Sequence, residues 1–272
     1  MSAWDRRPSA VHCVLALVTV ACAPVRPPGS APSSGCAGAA FCDDFEAYAL
    51  GGPPGGPWAV SGSTGESAVI DGGKAWSGRH SVLFRHTGTA HNAIYMTLAA
   101  RVLPLPTNDL HGRLMLFITR APARLHWDNV RATGPRPGGG EAQYNLGGES
   151  ASFLANYEPH DCYRRTRVPY PQGRWACLQW RFNGASTGGG ATRNEFHVWL
   201  DGQPVEEASV SRFGQGCVDK TTSEWIAPAF QRLFVGWEQY RPSEPIEMWI
   251  DDVAIGEKPI ACPGRDASSA FF

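Results

Sequence analysis

The residues best suited to chemistry are amides, guanidinium groups, phenols and imidazoles set in short alternating segments. In an extended chain successive side chains point to opposite faces. In Gln143-Tyr-Asn-Leu146, Tyr144 and Leu146 suit a core, which turns Gln143 and Asn145 to the other side. In Arg113-Leu-Met-Leu-Phe117, Arg113, Met115 and Phe117 share one side. In Trp237-Glu-Gln-Tyr240, Glu238 and Tyr240 lie together, opposite Trp237 and Gln239, and the sequence leaves open which pair faces inward. Arg113, Gln143 and Asn145 can neutralise a carboxylate. His91, Tyr157 or Tyr240 can take or give a proton, with Asp161 nearby. Serine has no G-x-S-x-G setting, so a nucleophilic hydrolase of that type is unsupported. His86, His111 and His126 have no partner at a telling spacing and read as surface residues.

Cysteine carries the second kind of chemistry. Apart from Cys13 and Cys22, six cysteines remain: Cys36, Cys42, Cys162, Cys177, Cys217 and Cys262. No CxxC pair is present, so disulfides are favoured over zinc. The N-terminus explains why bridges would form. Arg6 and Arg7 precede the apolar run 11–21, too short to span a bilayer but suited to a secretory leader. Thr19-Val-Ala-Cys22 resembles a bacterial lipobox, with Cys22 as the lipidated residue. The expectation is an exported bacterial cell-surface or outer-membrane lipoprotein, held to the membrane by lipid alone; ordinary secretion is the alternative. Residues 1–22 are then the signal peptide, 23–40 a Pro/Ser/Gly-rich linker, 41–262 the folded body and 263–272 a disordered tail.

The elements that must position these groups are strands. Short segments rich in β-branched and aromatic residues recur: 81–85, 93–97, 113–118, 177–182, 195–200, 233–236 and 247–255. Asp201-Gly202 is a strong hairpin turn, and Pro/Gly-rich stretches at 51–57, 134–140 and 184–192 read as strand breaks. With 272 residues, 43% of them hydrophobic, one large β domain can bury a substantial core. A net charge of −1 without a long basic run argues against nucleic acid as a partner. A monomer is expected.

Motifs in order along the chain point to one family. They are Phe41-Cys-Asp-Asp-Phe-Glu46, Trp76-Ser-Gly-Arg-His-Ser-Val82, Leu146-Gly-Gly-Glu149 and Tyr170-Pro-Gln-Gly-Arg-Trp-Ala-Cys-Leu-Gln-Trp180. Val198-Trp-Leu-Asp-Gly202, Val235-Gly-Trp-Glu-Gln-Tyr240 and Trp249-Ile-Asp-Asp252 follow. Together they resemble the core domain of fungal cellulose-induced proteins and their glucuronan lyase relatives, polysaccharide lyase family 20. The resemblance implies an all-β, concanavalin A-like jelly roll, with two antiparallel sheets and a concave groove. It implies a carbohydrate-active protein that cleaves uronic-acid polysaccharide by β-elimination; a non-catalytic glycan-binding lipoprotein of the same fold is the alternative, and a structural or adhesive envelope protein is a third.

The resemblance also assigns residues. A structural calcium ion would be held by Glu46, Asp251 and the backbone at Ser77 and His80, and Cys177 would pair with Cys262. For the other four cysteines the family offers no guide; Cys36–Cys42 is local, and Cys162–Cys217 would join two long loops. In the groove, Asp161 aligns with an acidic residue of the fungal proteins. Two departures stand out: Gln143-x-Asn145 replaces a His-x-Arg pair, and Glu149 replaces a Gln. Glu149, Tyr157 and Glu238 would contact an acidic polysaccharide or other glycan. Trp58, Trp127 and Trp225 lie in loop-like contexts and could offer sugar-stacking platforms.

Overall fold

In the computed structural model, residues 36–264 are described, except 64, 90, 91, 100, 101, 189, 190 and 221. Cys22 and the proposed signal, most of the linker, His91 and nearly all of the tail lie outside them. The alternating segments all form strands, and among the described residues no α-helix occurs. The strands are β1 (Phe41–Asp43), β2 (Trp58–Gly62), β3 (Ser67–Asp71), β4 (Ser81–His86), β5 (Asn92–Ala99) and β6 (Asp109–Ile118). Next come β7 (His126–Pro135), β8 (Glu141–Glu149), β9 (Ser152–Glu158), β10 (Cys162–Pro169), β11 (Trp175–Asn183) and β12 (Ser186–Gly188). The last are β13 (Ala191–Thr192), β14 (Glu195–Leu200), β15 (Gln203–Pro204), β16 (Val210–Ser211), β17 (Arg232–Gln239) and β18 (Ile246–Gly256).

Two antiparallel sheets make a jelly-roll sandwich. One follows β15-β14-β11-β6-β18-β4-β3, with β1 on β18 and β16 on β14; the other follows β10-β9-β8-β7-β17-β5-β2. Leu114, Leu116, Phe182, Phe196 and Ile250 of the first sheet meet Met96, Val130, Tyr144, Leu146 and Trp237 of the second in one core. Tyr144 sits among Phe182, Phe196, Trp225 and Phe230, with ring centroids 5.5–5.7 Å away. Trp127 and Trp237, on neighbouring strands, stack at 5.6 Å beneath the outer face of the second sheet. Trp58, Trp127 and Trp225 are therefore core residues, 6%, 0% and 0% exposed, and not sugar platforms.

Turn chemistry follows the sequence. Asp201 and Gly202 both take left-handed backbone (φ 52° and 78°) between β14 and β15, as a two-residue hairpin requires. Two of the predicted breaks behave differently. Gly134 and Pro135 end β7 inside a sheet, where a Cβ on Gly134 would lie 1.7 Å from the Ala229 carbonyl oxygen. The stretch 184–192 includes the small β12–β13 ribbon. Three disulfides close the body: Cys36–Cys42, Cys162–Cys217 and Cys177–Cys262.

Candidate functional site

The polar residues gather where one strand slips its alternation. On β7, His126 and Asp128 point out and Trp127 points into the core. A register shift against both β8 and β17 then puts Asn129 and Val130 inward in succession. Asn129 repays its burial by accepting from Trp127 Nε1 (3.2 Å) and Tyr170 OH (2.6 Å) and donating to the Gly236 carbonyl (3.0 Å). The bulge turns Arg131 to the same face as Asp128. Gly147 opposite accepts the distortion, since a Cβ there would lie 1.9 Å from the Trp127 carbonyl oxygen.

Asp128 is the hub. Its carboxylate, 1% exposed, accepts from His126 Nε2 (3.2 Å), Arg131 Nη2 (3.2 Å) and the Tyr240 hydroxyl (2.8 Å). Burial raises its pKa, but the hydrogen bond and charge of His126, the charge of Arg131 and the Tyr240 bond together outweigh that and lower it. The imidazole shows the reverse balance: burial opposes its charge, yet the bond to Asp128 and that carboxylate's charge raise its pKa. The Tyr240 phenol is pushed well up by burial and by the charges of Asp128 and Glu238, so it stays protonated. His126 and Tyr240 rings are in contact, centroids 4.9 Å apart. With Nε2 bound to an ionised carboxylate, the neutral imidazole keeps its lone pair on Nδ1.

Arg131 ties this pair to the rest of the sheet. It contacts Glu238, which also accepts from Tyr95 OH (3.0 Å), and donates Nε to Asn145 Oδ1 (3.1 Å). Asn145 on β8 stands directly across from Asn156 on β9, whose Nδ2 donates to Asp161 Oδ1 (3.1 Å). A cavity of about 380 Å³ opens over this face, walled by Arg124, Leu125, His126, Glu149, Asn156, Glu158, Asp161, Tyr240 and Arg241. Glu158 also borders a neighbouring hollow of about 330 Å³ with Thr133, Glu141, Gln143 and Pro159, so the groove continues along the strands. Glu149 is paired with Arg165. Burial and the charge of Asp161 push the Glu158 carboxyl up.

Several sequence-predicted residues thus share this face: Asn145, Glu149, Asp161, Glu238 and Tyr240, with Gln143 in the adjoining hollow. Glu238 and Tyr240 are the outward pair, and Trp237 and Gln239 are fully buried. Two others belong elsewhere. Arg113 is on β6 in the opposite sheet, fully buried, its Nη2 donating to the Asp252 carbonyl (2.8 Å) under the segment 257–262. Tyr157 points into the core, stacked on Trp225 at 5.8 Å. His126 is a groove residue rather than a plain surface histidine, and His86 and His111 are buried. His126, Asp128, Arg131 and Asn156 were not anticipated. One pattern could have revealed the first two, because His126 and Asp128 are two apart on a strand and must share a face.

A second polar cluster lies at the ends of the body. Glu46 Oε1 accepts from the backbone N–H groups of Arg79 and His80 (2.6 Å each), and Asp251 Oδ2 from those of Trp76 (2.8 Å) and Ser77 (3.2 Å). One turn therefore gathers a carboxylate from just after β1 and one from β18. Burial and neighbouring Asp252 raise the Asp251 pKa to about 8, so its charge lacks full compensation. Among the described residues no three His, Cys, Asp or Glu side chains form a metal cluster. A hard cation would need the turn's carbonyls or water beside Glu46 and Asp251, a donor set of the right kind for calcium.

Known proteins place this architecture. No curated protein matches the chain. Among solved structures, the cellulose induced protein Cip1 superposes with a TM-score of 0.62 at 20% identity, over 82% of this chain and 99% of that one. Endo-beta-1,4-glucuronan lyase from the fungus Trichoderma reesei gives 0.55 at 13% identity, over 81% and 96%. At these identities the likeness is one of fold. The profile of the polysaccharide lyase-like family described as "Cip1-like, core domain" matches residues 56–258, and the chain belongs to that family.

Proposed function

We propose that the outer face of the β10–β2 sheet is a glycan groove, and that the protein cleaves uronic-acid-containing polysaccharide there by β-elimination. The carrying observation is the Asp128-centred contact of His126 with Tyr240 beside Arg131 and Asn145. Arg131, beside Asn145, would neutralise the uronate carboxylate, which acidifies the C5 proton. Neutral His126, through Nδ1, would take that proton. Electrons from the C5–H bond form the C4=C5 double bond as the C4–O bond breaks, and the Tyr240 phenol gives its proton to the departing oxygen. Incubation with glucuronan and alginate should produce the ultraviolet absorbance of an unsaturated uronate. His126→Ala and Tyr240→Phe should each lower its rate by about 10²–10⁴-fold.

One observation favours the second reading, a glycan-binding protein without turnover. Arg131 is already engaged by Asp128 and Glu238, and Glu149, Glu158 and Asp161 line the wall, a balance better suited to neutral hydroxyls than to many carboxylates. Saturable binding with no new absorbance across the panel would select it. The same reading includes a calcium ion at Glu46, Asp251 and the Ser77 and His80 backbone, acting as a structural clamp. It also includes export with a lipid on Cys22, in keeping with three disulfides.

A further inference from the structure

Two buried amides beneath the cavity remain half-used, in complementary ways. Asn145 and Asn156 are 0% and 2% exposed and face each other across β8 and β9 on the groove side. Asn145 Nδ2 and Asn156 Oδ1 have no hydrogen-bond partner among the described residues. Their orientations are dictated by neighbours of fixed polarity. Arg131 Nε can only donate, so it must meet the Asn145 oxygen, leaving that residue's NH₂ as the spare group. Asp161 Oδ1, as a carboxylate, accepts, so it must meet the Asn156 NH₂, leaving that residue's oxygen spare. Turning either amide over would set donor against donor or acceptor against acceptor.

We propose that this spare donor and spare acceptor form a subsite that reads one sugar hydroxyl. The hydroxyl oxygen accepts from Asn145 Nδ2 while its proton goes to Asn156 Oδ1, a complement that a hydroxyl fulfils and a carboxylate, with no proton to give, does not. Asn156 itself lines the cavity, and the pair is linked through Arg131 to the His126–Tyr240 contact and through Asp161 to the far wall. A sugar unit held here is thereby registered against the proton-transfer pair. Buried polar groups left unpaired carry a substantial cost, so an analogue lacking that hydroxyl is rejected rather than merely bound less well. The inference rests on the groove being a glycan site, not on the protein being a lyase.

The test is calorimetric titration of the full chain with three probes: hexasaccharides of glucuronan and of alginate, and cellohexaose. Asn145→Leu and Asn156→Leu should each weaken binding of the preferred probe by about tenfold, as loss of a hydrogen bond to a shared oxygen does. The double variant should lose clearly less than the product of the two single losses, because both amides engage one hydroxyl and are therefore coupled. Roughly hundredfold, additive loss would show two separate supports of Arg131 and Asp161, and would overturn the proposal. Unchanged affinity in both single variants would overturn it while leaving the glycan groove in place. A wild-type protein that binds none of the three probes would remove the groove reading and this one with it. Thermal melts check folding, and Asn145→Ala and Asn156→Ala, read in the same way, stand in for any leucine variant that does not fold.

Discussion

Asp128→Asn isolates the hub of the groove without changing its shape. The carboxylate receives three donors, two of them on groups that carry charge when His126 is protonated. An amide keeps one acceptor oxygen and turns a donor toward the third group. Hydrogen bonds to charged groups contribute about 1.5–3 kcal/mol against about 0.5–1.5 for neutral ones. Losing the charge at two bonds and the whole of the third therefore costs on the order of 3 kcal/mol when His126 is protonated. The folded-state pKa of His126 is raised, so its protonated form favours the fold; that stability is full below the unfolded value of 6.5 and is lost as pH rises through the folded one. At pH 8 the cost should be smaller, because neutral His126 no longer sets a charge beside the position of the carboxylate. Denaturant unfolding of both proteins at pH 5 and pH 8 reads the stability difference, and an NMR titration of the His126 ring reads the pKa falling in the variant. At about 2–4 °C per kcal/mol, the variant's melt at pH 5 should drop by roughly 6–12 °C. Equal destabilisation at both pH values, with an unmoved His126 titration, would refute the coupling of imidazole and carboxylate.

Other outcomes follow from the same contacts. Replacing Cys177 and Cys262 by serine reopens a loop with a sequence separation of 85 and should cost about 4–5 kcal/mol in the chain-entropy picture, read by urea unfolding. Gly147→Ala should move the β7 bulge, because its Cβ would lie 1.9 Å from the Trp127 carbonyl oxygen; the expected result is loss of groove function with a lower melt. Chelator should lower the melting temperature if calcium clamps Glu46 and Asp251. In chelator the Asp251 pKa of about 8, raised from 3.8, makes the fold lose stability as pH rises from 4 to 8; Asp251→Asn should flatten that slope.

How far the sequence led can be judged at individual strands. Alternation placed Tyr144 and Leu146 in the core and Gln143 and Asn145 outside, because β8 runs there without interruption. It also grouped Arg113 with Met115 and Phe117 correctly. Period-two patterning tells which residues share a face, but not which sheet owns that face or what covers it. Arg113 therefore looked like a groove cation while lying on the other sheet under the chain's C-terminal strap. The same limit applies to Tyr157, whose strand is buried on both sides from Phe153 to Tyr157.

Arg131 was hidden for a different reason. Counting outward from buried Trp127, strict alternation turns residue 131 into the core; only the extra inward residue at the bulge reverses it. Nothing in the local sequence of β7 requires a bulge, since its justification is non-local: Gly147 on β8 yields the space, and Tyr170 and the Gly236 carbonyl satisfy Asn129. The resemblance leads to the expectation of a His-x-Arg pair on the strand that here bears Gln143 and Asn145. This chain instead brings a guanidinium to Asn145 from the adjacent strand, in contact with its amide oxygen. A positive group thus stands on this face beside Asn145. The groove's guanidinium is therefore that of Arg131, and Arg131→Gln should impair the groove more than any change at Arg113 that preserves folding.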